Sequence, residues 1–168
     1  MSGTTVRFGI LGAARIAPAA LIRPAAGSPE AVVDLVAARD HGRATAFAGR
    51  HGIPRVAERY EAVVCDPAVD AVYIPLPNSL HAHWTLAALE AGKHVLCEKP
   101  FTSNAEEART VAAAAARARA VDGLVVVEAF HYRYHPLAAR MLEIVASGEL
   151  GTKVAVGSMA RPASSTVR

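Results

Sequence analysis

Glu98-Lys99-Pro100 sets a carboxylate, an amine and a proline in direct succession, at the end of the apolar stretch Val95-Leu96-Cys97. Packing a strand requires no such tripeptide. In open α/β sheets, ligands gather at the carboxyl ends of the strands. A lysine held there can donate a proton or polarise a hydroxyl or carbonyl. A second group, Gly12-Ala13-Ala14-Arg15-Ile16-Ala17, follows the apolar run Val6 to Leu11 and opens a helix-rich stretch. That is the setting of a dinucleotide fingerprint: a glycine for the tight turn, then a small residue beside the pyrophosphate, then another for helix–strand packing. Gly12, Ala14 and Ala17 hold those places, and Ala14 departs from the pattern because its Cβ crowds the phosphates. The N–H groups of Ala14 to Ile16 are expected to face an anion from a helix N-terminus. A generic strand–helix turn is the alternative.

Arg39 follows the second apolar run, 27 residues beyond Gly12, where ribose recognition belongs. An acidic residue there would accept from a 2′-hydroxyl, whereas the arginine fork suits a 2′-phosphate. Arg43 adds a second positive charge one turn on. This favours NADP, and Asp40, directly after Arg39, keeps NAD as the alternative. Pro75-Leu76-Pro77-Asn78 leaves another apolar run. Asn78 reads as the N-cap of a helix, which alone explains its type, or as a cofactor-lining residue. His81 reads as an exposed side chain in the first turn, and His81-x-His83 diverges on a helix, so no metal is expected. Glu128 to Pro136 is a dense polar and aromatic run, either the floor of a site with Arg133 facing cofactor or substrate, or a cover for the sheet rim.

The elements that must position these residues alternate. Strands are expected over Val6 to Leu11, Ala31 to Ala38, around Val56, and over Asp70 to Leu76, Val95 to Cys97 and Gly123 to Ala129. Helices are expected over Ala14 to Ala26, Gly42 to His51, Tyr60 to Cys65, Asn78 to Ala91 and Ser103 to about Ala118, and from Pro136 to Gly148. Ser103 and Glu106 have capping-box spacing. Such alternation predicts right-handed βαβ units around a doubly wound parallel sheet of Rossmann type. Lys153 to Met159 then reads as one more strand, the first of another domain.

At 168 residues and 52% hydrophobic, the chain suffices for one domain and is not disordered. The net charge of +3 is carried by scattered arginines, which argues against nucleic acid as a partner. Cys65 and Cys97 read as buried free thiols in a reducing cytoplasm. No signal peptide or membrane-length apolar run is apparent.

In combination and order, these motifs resemble the amino-terminal domain of the Gfo/Idh/MocA oxidoreductases, in the branch of xylose and dihydrodiol dehydrogenases. The resemblance rests on Phe8 to Ala17, Ala37 to Asp40, Asp70 to Asn78 with His81, Ala91 to Pro100, Glu128 to Arg133 and Ser147 to Gly151. It implies a cofactor site with Gly12, Ala14, Arg15 and Ile16 at the pyrophosphate, Arg39 at the adenosine ribose, and Pro75, Asn78 and His81 in the middle. Glu98 would lie near the nicotinamide ribose. Lys99 would meet substrate or assist proton transfer, with a cis bond before Pro100 aiming it. The implied chemistry is hydride transfer between NADP(H) and a sugar or related alcohol.

Members of this family continue into a larger α/β domain that supplies most of the substrate pocket and usually the dimer interface. Residues 5–148 are therefore expected to form the cofactor domain and 149–168 the start of a second domain, almost wholly missing. Turnover is not expected from this chain alone, and homo-oligomerisation is left open. A non-catalytic NAD(P)-binding sensor and a remnant without function are the competing readings.

Overall fold

Six strands form one sheet in the order β3-β2-β1-β4-β5-β6, every adjacent pair parallel. They are β1 (Val6–Leu11), β2 (Ala31–Ala37), β3 (Arg55–Ala57), β4 (Ala71–Ile74), β5 (His94–Cys97) and β6 (Val126–Glu128). The computed structural model describes residues 5–151, and the strand expected over Lys153 to Met159 lies outside them. The chain divides into two compact units, Met1–Ala129 and Phe130–Arg168. The strand order reverses between β1 and β4, which makes the crevice beyond their carboxyl ends the place for a ligand.

Helices cover both faces of the first unit. A π-helical segment, Pro18–Ile22, runs into α1 (Arg23–Ala26); α2 (His41–His51) follows β2, α3 (Tyr60–Val64) follows β3, α4 (His81–Glu90) follows β4, and α5 (Ala105–Asp122) follows β5. On one face Ile10, Val33, Val36 and Tyr73 meet Leu21, Ile22, Ala25 and Ala48. On the other, Leu35, Val72, Val95 and Cys97 meet Val63, Val64, Trp84 and Leu89. Gly9 permits the tightest of these approaches: a Cβ there would drive into Val63 Cγ1, well inside contact distance.

Several boundaries differ from the sequence reading, each for a local reason. The first helix opens at Pro18 rather than Ala14, because residues 13–16 turn before the chain becomes helical. The α5 cap is one residue later than expected: Asn104 accepts from the Glu107 N–H at 2.9 Å, and the Glu107 carboxylate reaches back to the Ser103 N–H at the same distance. The helix then runs on to Gly123, whose φ of 70° closes it. Leu96 is half-buried, so β5 is not enclosed on both faces. Cys65 is exposed at the end of α3, while Cys97 is buried; burial pushes the Cys97 thiol up to about 12, which leaves it inert.

A charge network ties the amino-terminal side of the sheet. The β1–β2 register slips between Phe8 and Gly9, leaving Asp34 as the extra residue of a bulge. Its buried carboxylate pairs with Arg7 at 3.0 Å and with Arg55, which also holds Asp66 at 2.6 Å. Burial alone would raise the Asp34 carboxyl, but hydrogen bonds from Arg55 and Arg7 together hold it below the usual range. Among the described residues no helix is long and apolar enough to cross a membrane.

The second unit, described over residues 130–151, holds the 3-10 turn His131–Tyr134 and α6 (Pro136–Ser147), which ends at Gly148 as expected. Arg133 lies exposed on that turn, its N–H on the Phe130 carbonyl.

Candidate functional site

Four of the sequence motifs meet along the carboxyl edge of β2, β1, β4 and β5. At the end of β1 the Gly12 N–H donates to the Ala37 carbonyl at 2.7 Å, tying the turn to the end of β2 just before Arg39. Gly12 has φ +107°, a backbone open chiefly to glycine, and a Cβ there would stand 3.0 Å from Leu76 Cδ2. So the β1 turn and the loop after β4 press together at the reversal point. The turn sends the Ala14 N–H back to the Gly12 carbonyl at 2.9 Å. This corrects the sequence reading: Ala14 does not present its N–H to an anion. The Arg15 and Ile16 N–H groups have no partner within the described residues, and both residues are exposed. They lie on a turn ahead of the helix, not on its first residues. These donors, beside a glycine turn that a side chain would crowd, fit a pyrophosphate.

On the β2 side, the Asp40 carboxylate caps α2, accepting from the Arg43 N–H at 2.7 Å. That bond commits one oxygen of the acid to its own helix, while the Arg39 and Arg43 side chains are exposed.

On the β4 side, Pro75 is buried and Asn78 is exposed. Asn78 is not an N-cap. It begins the 3-10 turn Asn78–Leu80, and neither that turn nor α4 has a side-chain cap. His81 is not exposed either; it is 1% exposed, with Nε2 2.7 Å from the Leu76 carbonyl and Nδ1 2.8 Å from the Pro100 carbonyl. Both partners are acceptors, so a neutral ring makes one full N–H bond and an imidazolium makes two. The ring faces the protein and joins the loop after β4 to the loop after β5.

That second loop is held from several sides. The Glu98 N–H donates to the Ile74 carbonyl at 3.1 Å, and the buried Glu98 carboxylate accepts from the Tyr73 hydroxyl at 2.7 Å. The Phe101 N–H reaches the Glu128 carboxylate at 2.9 Å. The Lys99–Pro100 bond is cis. Lys99 itself is exposed, and its ammonium pairs with no carboxylate among the described residues. The edge therefore offers an anion turn at the centre, arginines on one side and a presented amine on the other. Arg133 belongs to the other unit.

Sequence reasoning missed Tyr73, which sits in a run read only as apolar strand. A signal was present: with period 2, Tyr73 shares the face of Leu96, its partner in register, and so of Glu98.

Residues 6–126 match the GFO_IDH_MocA family, described as an oxidoreductase family with an NAD-binding Rossmann fold. The chain belongs to the Gfo/Idh/MocA oxidoreductases. Within this family it is 48% identical over 151 residues to a D-xylose 1-dehydrogenase (NADP(+)) of Haloferax volcanii, covering 90% of this chain and 45% of that protein. It is 40% identical over 147 residues to a dTDP-3,4-didehydro-2,6-dideoxy-alpha-D-glucose 3-reductase of Streptomyces violaceoruber, covering 87% of this chain and 41% of the relative. Among solved structures it is similar to a 3-ketoreductase from Actinomadura kijaniata in complex with NADP and TDP-benzene. The TM-score is 0.77 at 36% identity, over 86% of this chain and 43% of that one. The chain thus spans less than half the length of these relatives.

Proposed function

We propose that this chain is the NADP-binding part of a dehydrogenase or reductase acting on a sugar or a related alcohol or carbonyl compound. The observation that carries the reading is the order of groups along the sheet edge. Unpartnered N–H donors stand on the Gly12 turn, with Arg39 on the β2 side and Lys99 on the β5 side. Arg39 and Arg43 grip the 2′-phosphate, and Asp40 between them has one oxygen committed to the α2 cap. Arg15 and Ile16 hold the pyrophosphate through their N–H groups. Pro75 and Asn78 line the middle of the crevice, and Glu98 bounds the nicotinamide end. The Lys99 ammonium holds the reacting oxygen of substrate and moves its proton. The bound cofactor supplies or accepts the hydride. A relative named as an NADP(+) xylose dehydrogenase and another named as a nucleotide-sugar reductase support this assignment.

Fluorescence titration with NADPH and NADH tests it. NADPH is expected to bind more tightly, and Arg39→Ala to weaken NADPH about tenfold while leaving NADH nearly unchanged, the scale of a lost charge-assisted pair. Binding of neither nucleotide, or a preference for NADH, overturns the reading.

A further inference from the structure

We propose that Tyr73 is a positioning residue that holds the Glu98 carboxylate away from Lys99, so that the Lys99 ammonium stays free. The proposal builds on the role given to Lys99 above, but it rests on the geometry of three side chains. Tyr73 is wholly buried, and its hydroxyl donates to Glu98 Oε1 at 2.7 Å. Glu98 Oε2 turns back to the Lys99 N–H at 3.3 Å. Both carboxylate oxygens therefore have donors, and neither donor is the neighbouring ammonium. Burial, and then the Glu98 hydrogen bond, push the Tyr73 phenol far up, so it remains a donor throughout the working range.

Lys99 directly follows Glu98 in the chain, and two long side chains on neighbouring residues of a loop can reach each other. Glu98 is 8% exposed. Stripped of its phenol partner, a buried carboxylate must find another donor, and the next residue carries a charged one, the Lys99 ammonium. The resulting ion pair would withdraw Lys99 from the crevice. Tyr73 comes from β4 and Glu98 from the end of β5, so the sheet itself sets the separation.

Amine labelling resolved by peptide mass spectrometry reads this directly, without cofactor, and so independently of the NADPH titration. The sequence holds only Lys93, Lys99 and Lys153; Lys93 is buried, with Nζ on the Asp66 and Val69 carbonyls, and Lys153 serves as the internal reference. In Tyr73→Phe the labelling rate of Lys99 relative to Lys153 is expected to fall about threefold, the scale of one exposed ion pair. In Tyr73→Phe/Glu98→Gln the rate recovers. A loss of packing alone would leave the double variant as slow as the single one. An unchanged or faster rate in Tyr73→Phe, or no recovery in the double variant, overturns the proposal. Glu98→Gln alone tests the same point with Tyr73 in place. The rate should stay within about twofold of the unsubstituted chain, because the native carboxylate is not paired with Lys99. A several-fold acceleration there overturns it.

Discussion

Replacing His81 by phenylalanine keeps a ring of similar bulk and deletes both contacts that join the loop after β4 to the loop after β5. The Leu76 and Pro100 carbonyls, now 2.7 and 2.8 Å from the imidazole nitrogens, lose those partners in a site where the ring is 1% exposed. An orphaned buried acceptor costs about 1–3 kcal/mol. A neutral ring donates to only one of the two carbonyls, so its loss costs about 1–3 kcal/mol, and the apolar burial gained returns up to about 1 kcal/mol of this. The expected net loss is about 1–2 kcal/mol, a drop in Tm of roughly 2–8 °C for a chain of this length. Urea unfolding followed by circular dichroism measures it, with the slope m unchanged because the surface exposed on unfolding is the same. His81→Gln, which can still donate to one carbonyl, should fall between the two. A loss below about 0.5 kcal/mol would refute the reasoning, since the carbonyl would then be satisfied without the ring.

Two further expectations concern the scaffold. Gly9→Ala should cost about 1–3 kcal/mol, because the added Cβ meets Val63 Cγ1; Gly9→Ala/Val63→Ala should be more stable than the sum of the single losses, and a neutral single substitution would contradict the close approach. Asp34 and Asp66 are both held below the unfolded value of 3.8. Their contribution to stability is thus complete above that value and is lost as pH falls through the lower folded-state values. Thermal unfolding followed from about pH 6 down to about pH 2 should show a shallower acid slope for Asp34→Asn than for the unsubstituted chain; equal slopes would remove the Arg7–Asp34–Arg55 network from the account.

The parallel sheet was legible in the sequence because a strand buried on both faces must be apolar almost throughout, and Val6 to Leu11, Ala31 to Ala37 and Ala71 to Ile74 are. The end of α2 at His51 was equally legible, and Gly52 directly after it takes φ +69°. Asn78 was misread because an Asn before a helical pattern has the composition of a cap, and only coordinates reveal that its side chain caps nothing. His81 was misread because its two partners are backbone carbonyls, which leave no mark on residue type.

Local chemistry and periodicity alone determined where the strands lie, that Gly12 opens a turn, and that Arg39 and Lys99 close two of the strands. The tertiary structure decided which polar groups are already engaged. Asp40 is turned into α2, the Ala14 N–H goes to Gly12, the His81 ring ties two loops together, and Tyr73 takes hold of Glu98. The physical reason is that a hydrogen bond depends on position and direction at about 3 Å. Residues far apart in sequence reach that distance only after the sheet has set its strands side by side.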